Sequence, residues 1–327
     1  MMKRREFIAL VGGAAAVWPA VARAQGGLPV VGFLNAGSAQ GYAPMVAAFA
    51  KGLDQAGFVE GRNVMIEYRW AEGLNERLPA LVAEFIERRV AVIAATSTPA
   101  ALAAKAATAN IPIVFELASD PVELKLVDSL SRPGGNATGV TQTNVETAPK
   151  RLELMRELLP QARVMAFLIN PSNPVLHAAA VEMRTLARTL GLDLHVLEAS
   201  SDRQFEAVFA QVKELRADAL VISAGDALFA GHGPELGGLA IRNRVPAVSA
   251  GHGFVSAGGL ASYGADIVEA YRLTGGYAAR VLKGDKPADL PVQQSTKIEM
   301  FINLKTAKAL GLSVSPSVLT QADEVIE

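Results

Sequence analysis

The 327-residue chain contains no cysteine. That absence excludes a disulfide framework, a lipid anchor on a thiol, a thiolate metal site and a cysteine nucleophile. Aromatic residues are few, at 6%, and no basic cluster is interleaved with them, so the chain lacks the surface pattern of a nucleic-acid binder. Charge of either sign is not in excess: 31 Lys and Arg stand against 32 Asp and Glu, which argues against a disordered or strongly membrane-attracted chain. Motifs of catalysis are missing too. There is no G-x-S-x-G elbow (Gly259-Leu260-Ala261-Ser262-Tyr263-Gly264 has the wrong spacing), no Walker loop, no G-x-G-x-x-G and no H-E-x-x-H. The four histidines, His177, His195, His232 and His252, share no ligand spacing. The two Gly-His-Gly tripeptides, 231–233 and 251–253, read as loop turns. Neither a metal nor a cofactor is expected.

What is present begins with an N-terminal segment of distinct composition. Lys3-Arg4-Arg5-Glu6-Phe7-Ile8 is a basic start, Ala9 to Val21 is an apolar run interrupted by Gly12, Gly13 and Pro19, and Ala22-Arg23-Ala24 matches a small-x-small cleavage site. The pattern is that of a cleaved secretory signal over 1–24, too short and wrongly ended for a membrane span. Its paired arginines resemble the twin-arginine signal that exports folded proteins, with an ordinary secretory signal as the alternative. A mature chain starting near Gln25 would keep 27 basic and 31 acidic residues, a net charge of −4. No second long apolar run follows.

From Pro29 onward, short apolar runs alternate with amphipathic segments, which implies parallel sheets covered by helices. The clearest stretch runs from Val90 to Val122. Two apolar strands, about 91–95 and 111–117, end in Thr96-Ser97-Thr98-Pro99 and Ser119-Asp120-Pro121. Proline tolerates the first turn of a helix, where its missing N–H costs nothing, and Ser, Thr or Asp just before it caps free N–H groups. Such turns present unpaired donors at the carboxyl ends of parallel strands, where open α/β sheets bind ligands. The same grammar recurs after residue 160. The strand 164–169 ends in Asn170-Pro171-Ser172-Asn173-Pro174, and the strand 219–222 ends in Ser223-Ala224-Gly225-Asp226. Two lobes of like architecture follow, forming two jaws of one cleft. No Gly-, Ser- or Pro-rich spacer separates them, so the connection is a hinge rather than a tether.

Each candidate site residue has two readings. Thr96, Ser97 and Thr98 can offer hydroxyls and helix N–H groups to a carboxylate, or merely cap a helix. Asn170, Ser172 and Asn173 stand in the same position in the second lobe. Asp120 and Asp226 can pair with an ammonium or hydroxyl, or hold the backbone of their own turns. Ser38, in the loop after the first strand, can bond a ligand oxygen. Phe33, Tyr42, Phe115, Phe229 and Tyr263 can stack on a planar ligand, although buried phenylalanines more often pack in a core.

Several longer stretches resemble one family. They are Gly57-Phe58-Val59-Glu60-Gly61-Arg62-Asn63-Val64, Glu67-Tyr68-Arg69-Trp70-Ala71-Glu72-Gly73, Ser97-Thr98-Pro99-Ala100-Ala101, Asp120-Pro121-Val122, Gly284-Asp285-Lys286-Pro287-Ala288-Asp289 and Asn303-Leu304-Lys305-Thr306-Ala307. They are similar to the ABC-transporter substrate-binding proteins related to tryptophan-binding proteins, over essentially the whole mature chain. The resemblance implies a type I periplasmic-binding fold: two Rossmann-like lobes with parallel sheets, joined by three crossovers near 142–146, 262–266 and 284–290. The first lobe would comprise 25–143 with 265–285, the second 144–264 with 286–327. It further implies a periplasmic, monomeric, non-enzymatic protein that closes on a small organic solute, an amino acid (aromatic in some relatives) or a related carboxylate, and docks on an ABC permease of the inner membrane. An exported enzyme and a binding protein that reports to a membrane sensor are the rival readings.

Overall fold

The computed structural model describes residues 27–142 and 144–327. The expected signal segment, its cleavage site and the new terminus near Gln25 lie outside the described residues. The chain opens with β1 (Val30–Asn35), a 3₁₀ turn (Gln40–Tyr42), α1 (Ala43–Gln55), β2 (Met65–Trp70), α2 (Leu78–Glu87), β3 (Val92–Ala95), α3 (Thr98–Ala107), β4 (Ile113–Leu117) and β5 (Ala137–Gln142). The second half runs through α4 (Ala148–Leu158), β6 (Val164–Ile169), α5 (Pro174–Thr189), β7 (Asp193–Glu198), α6 (Phe205–Glu214), β8 (Ala219–Ile222), α7 (Ala227–Gly231), α8 (Gly233–Asn243), β9 (Ala247–Ser249), α9 (His252–Ser256) and β10 (Ala261–Ala265). It then continues with α10 (Ile267–Leu282), β11 (Gln293–Ser295), β12 (Ile298–Asn303), α11 (Leu304–Leu310), α12 (Pro316–Gln321) and β13 (Glu324–Ile326).

These strands form two sheets. The first has the order β11-β5-β4-β3-β1-β2 and is parallel throughout. The second has the order β13-β12-β10-β9-β8-β6-β7, with one antiparallel pair, β10 and β12. Helices cover both faces of each, so the central strands are apolar on both sides rather than alternating. On β4, Val114 enters the core shared with α1 and α10, whereas Ile113, Phe115 and Leu117 enter the core under α2 and α3. The helices follow from local sequence. In α6, Phe205, Val208, Phe209 and Val212 fall on one buried stripe at i, i+3, i+4 and i+7. Ser201 and Gln204 form a reciprocal capping box just before it. Each such side chain contributes roughly 1.5–3 kcal/mol by leaving water.

Two expectations need correction. The third crossover does not lie at 284–290: the chain stays with the first lobe after α10, and Gln293–Ser295 pair in register with Val140–Gln142 of β5. The crossing comes at Thr296-Lys297, so 286–295 belong to the first sheet rather than to the second lobe. The Gly-His-Gly tripeptides are not open loop turns either. Gly231 ends α7, Gly233 begins α8 and His252 begins α9, so both sit at helix starts.

Candidate functional site

The carboxyl ends of the two sheets are pressed together. The Tyr42 hydroxyl donates to the Ala227 carbonyl at 3.1 Å, and Asn75 Nδ2 donates to the Ser172 carbonyl at 3.1 Å, each bond joining one lobe to the other. After β4, Ala118 lies so near Gly225, after β8, that a Cβ built on that glycine would stand 2.5 Å from the alanine methyl. The turn after β4 is therefore brought against the turn after β8, and the turn after β6 against Asn75 of the first lobe.

In the first jaw the hydroxyls are largely occupied within the lobe. Thr96 Oγ1 donates to the Leu34 carbonyl at 3.2 Å and accepts from Asn35 Nδ2 at 3.0 Å. Ser97 is the N-cap of α3, its Oγ accepting from the N–H of Ala100 at 3.4 Å and of Ala36 at 3.3 Å. Thr98 is buried, and its Oγ1 has no partner. Asp120 is exposed; its Oδ1 accepts from the N–H of Val122 at 2.7 Å and of Glu123 at 3.4 Å, so one oxygen holds its own turn. Ser38 is half-buried in the loop after β1. Phe115 has to be withdrawn as a stacking residue: it is wholly buried in the core under α2 and α3, with no face left for a solute. Phe33 is likewise interior, packed edge-on against Phe49 at 5.2 Å.

The second jaw is built around a carboxylate. Asp226, 4% exposed, accepts from Asn170 Nδ2 at 3.1 Å, from Asn173 Nδ2 at 2.8 Å and from the N–H of Leu228 at 3.0 Å, capping α7. Burial pushes its pKa up, opposed by these donors. Three residues proposed independently from sequence thus form one cluster, although their bonds are to one another. Tyr263 lies apart on β10, half-buried against the second-lobe core.

Beside the jaws the lobes enclose a cavity of about 360 Å³, in the range of small-molecule sites. Pro44 and Met45 of α1 form one wall, and Phe229, Pro234, Phe254 and Phe301 of the second lobe form the other. Its polar lining comprises Asn144, Ser223, Ser249 and His252 with the carboxylates of Asp266 and Glu299, and it includes no Lys or Arg. Of the aromatic residues nominated from sequence, Phe229 alone lines it. None of the other candidate site residues named from the sequence does so, because the lining is mostly glycine-rich loop and helix start, which carries little side-chain signal. Among the described residues no group of three or more His, Asp or Glu is placed to hold a metal ion.

The comparisons with known proteins bear on this arrangement. The family model described as ABC transporter substrate binding protein matches residues 33–326. The chain belongs to that family. A tyrosine-binding protein of Clostridioides difficile (strain R20291) is 30% identical over 265 residues, covering 81% of this chain and 75% of the relative. The structure of an ABC domain in complex with L-Trp from Streptococcus pneumonia is 26% identical and superposes with a TM-score of 0.80, over 92% of this chain and all of that one. A ligand-free, open structure of a substrate-binding protein with adhesive properties from Clostridium difficile, also 26% identical, superposes with a TM-score of 0.61 over 91% of this chain and 99% of that one. The fold is the type I periplasmic-binding fold, as the resemblance implied.

In this substrate-binding protein the polar residues that the sequence did not point to lie at the crossovers between the lobes. Ala265 N–H donates to Asn144 Oδ1 at 2.7 Å, Asn144 Nδ2 donates to Gln142 Oε1, and Gln142 Nε2 donates to Glu116 Oε1 at 2.6 Å. Burial raises the Glu116 carboxyl to about 8, partly offset by the Gln142 bond. From the other side Arg151, fully buried, donates to the carbonyls of Asn144 at 2.7 Å and Tyr263 at 2.9 Å and to Thr147 Oγ1 at 2.9 Å. Desolvation lowers its pKa to about 9. Two of the three crossovers are therefore stitched to each other. The bonds that tie Gln142 to Glu116, Arg151 to Tyr263 and Ala265 to Asn144 span 26, 112 and 121 residues, so no local signal points to them.

Seven buried side-chain atoms lack a hydrogen-bond partner among the described residues. Four of them follow strand ends: Thr98 Oγ1 and Ser119 Oγ in the first lobe, Asn173 Oδ1 and Ser223 Oγ in the second. Ser119 and Ser223 were absent from the sequence-based choice. Their signal was their place within two residues of the end of an apolar strand. No described helix is long and apolar enough to cross a membrane.

Proposed function

We propose that this chain is the exported, periplasmic solute-binding component of an ABC importer, a monomer that closes two lobes on a small amino acid, aromatic in kind, and then docks on its permease. The observation that carries the reading is the apposition of two lobes that enclose a cavity of about 360 Å³, walled by apolar side chains and edged by polar ones. The tyrosine-binding relative and the L-Trp complex support the solute class. The higher superposition with the L-Trp complex than with the ligand-free, open relative supports reading the present arrangement as the closed form. The basic, apolar N-terminal segment supports export.

Closure without a guest is disfavoured in this reading. Each buried polar atom left without a partner costs about 1–3 kcal/mol, and one of them, Ser223 Oγ, belongs to a residue that lines the cavity between the lobes. An open form leaves such atoms to water; a solute shifts the balance by the differential affinity it has for the closed form. No covalent step is involved. Capture at one side of a membrane and release at another requires binding alone.

The test is calorimetry of the purified mature protein against L-tyrosine, L-tryptophan and their des-amino acids. Saturable binding of at least one of them, with stabilisation of about 2.7 kcal/mol at a hundredfold excess over Kd, is the expected result. A folded protein that binds none of these compounds, or that turns one over, would overturn the reading.

A further inference from the structure

Where the lobes touch at the rim of the cavity, backbone meets backbone. Gly41, in the 3₁₀ turn before α1, lies against Gly231 at the end of α7. A Cβ built on Gly41 would stand 2.3 Å from the Gly231 carbonyl oxygen and 2.7 Å from its Cα, and one built on Gly231 would stand 3.1 Å from the Tyr42 ring. Neither glycine has the left-handed backbone that only glycine tolerates cheaply, unlike Gly225, whose φ is +85°. Their own turns would therefore accept alanine. At Gly41 what excludes a side chain is the backbone of the opposite lobe; at Gly231 the Tyr42 ring of the opposite lobe would have to give by a few tenths of an ångström. Gly41 itself lines the cavity, and so does Ala230, next to Gly231, while Pro44 and Phe229 stand close behind on the facing walls.

We propose that the Gly41–Gly231 contact is the stop that limits closure and so fixes the height of the cavity, making these two glycines determinants of the thickness of solute accepted. The proposal rests on the reading that the lobes close on a solute. A methyl on Gly41 has to move from 2.3 Å to at least 3.0 Å from the facing carbonyl, and rigid lobes answer by staying further apart.

The lack of cysteine allows a readout that needs no solute. Cysteines introduced as Asn75→Cys and Ser172→Cys, which face each other from the two lobes, are joined by a short bis-maleimide when the lobes come together. In that full-length background Gly41→Ala is expected to slow cross-linking at least tenfold and Gly231→Ala to slow it less, with the melting temperature unchanged in both. Gly276→Ala, on α10 with nothing within 4 Å of its would-be Cβ, should leave the rate as it was. Equal rates for parent and Gly41→Ala would overturn the stop, and so would loss of fold in both alanine variants, since each lobe is argued to tolerate the change. Titration of the wild-type protein with L-tyrosine and L-tryptophan reports on the solute reading alone, so the two failures are distinguishable.

Discussion

The two jaws share one sequence grammar, an apolar strand followed by a polar cap and a proline, yet they are wired differently. In the first, neutral hydroxyls and a carbonyl are tied by Asn35 and by Tyr271, whose hydroxyl donates to the Thr96 carbonyl at 2.9 Å. In the second, a buried carboxylate gathers two asparagine amides and a helix N–H. The difference teaches that a turn motif fixes where polar groups stand, while their charge state depends on what the neighbouring strand ends contribute. The first jaw should tolerate the loss of any one hydroxyl. The second should not tolerate the loss of its centre.

Asp226→Ala is the strongest way to break that comparison. It strips Asn170 and Asn173 of their acceptor and α7 of its cap, and is expected to cost about 3 kcal/mol, read from denaturant unfolding. A cost under about 1 kcal/mol would mean the cluster is no better organised than its counterpart.

Next in size is a pH effect from the first lobe. Glu116 holds its proton more tightly folded, at about 8, than its ordinary value of 4.5, so its stabilisation is complete below about 4.5 and is lost as pH rises toward 8. Asp226, also raised, acts with the same sign. Glu116→Gln keeps an oxygen for Gln142 Nε2, so melting temperatures of the variant should fall less between pH 5 and 8 than those of wild type. Parallel profiles would remove Glu116 from the account.

Ser97→Ala should be milder. It deletes the α3 cap, at a cost of about 1 kcal/mol. Smallest in stability is Thr98→Val, which replaces an unpartnered hydroxyl with a methyl and should change unfolding by no more than about 0.5 kcal/mol. Its signature lies elsewhere: a weakening of solute binding of about tenfold, equivalent to ~1.4 kcal/mol, would mark Thr98 as a contact. Unchanged affinity would leave it as packing.

How much of this was legible follows from which interactions are local. Helix α6 and the capped turn at Ser97 could be read directly, because the apolar period of the one, and the cap and proline of the other, lie within a few residues. Strand β11 could not. Gln293–Ser295 is short, polar and on a sheet edge, and it is a strand only because its backbone finds β5. Phe115 and Glu116 posed a different problem. With both faces of β4 covered, alternation no longer distinguishes core from cleft, and the stacking role fell on the residue that faces α2 and α3. The cavity lining was hidden for a third reason, since Gly251, Gly253 and Gly264 shape it with backbone.

The late crossing at Thr296-Lys297 constrains how the molecule can move. Only three peptide steps separate β11 in one sheet from β12 in the other, a reach of at most about 11 Å. So short a leash forbids the lobes from drifting apart as whole bodies. Any opening has to swing about an axis close to that link, with the largest travel at the far rim and almost none beside it.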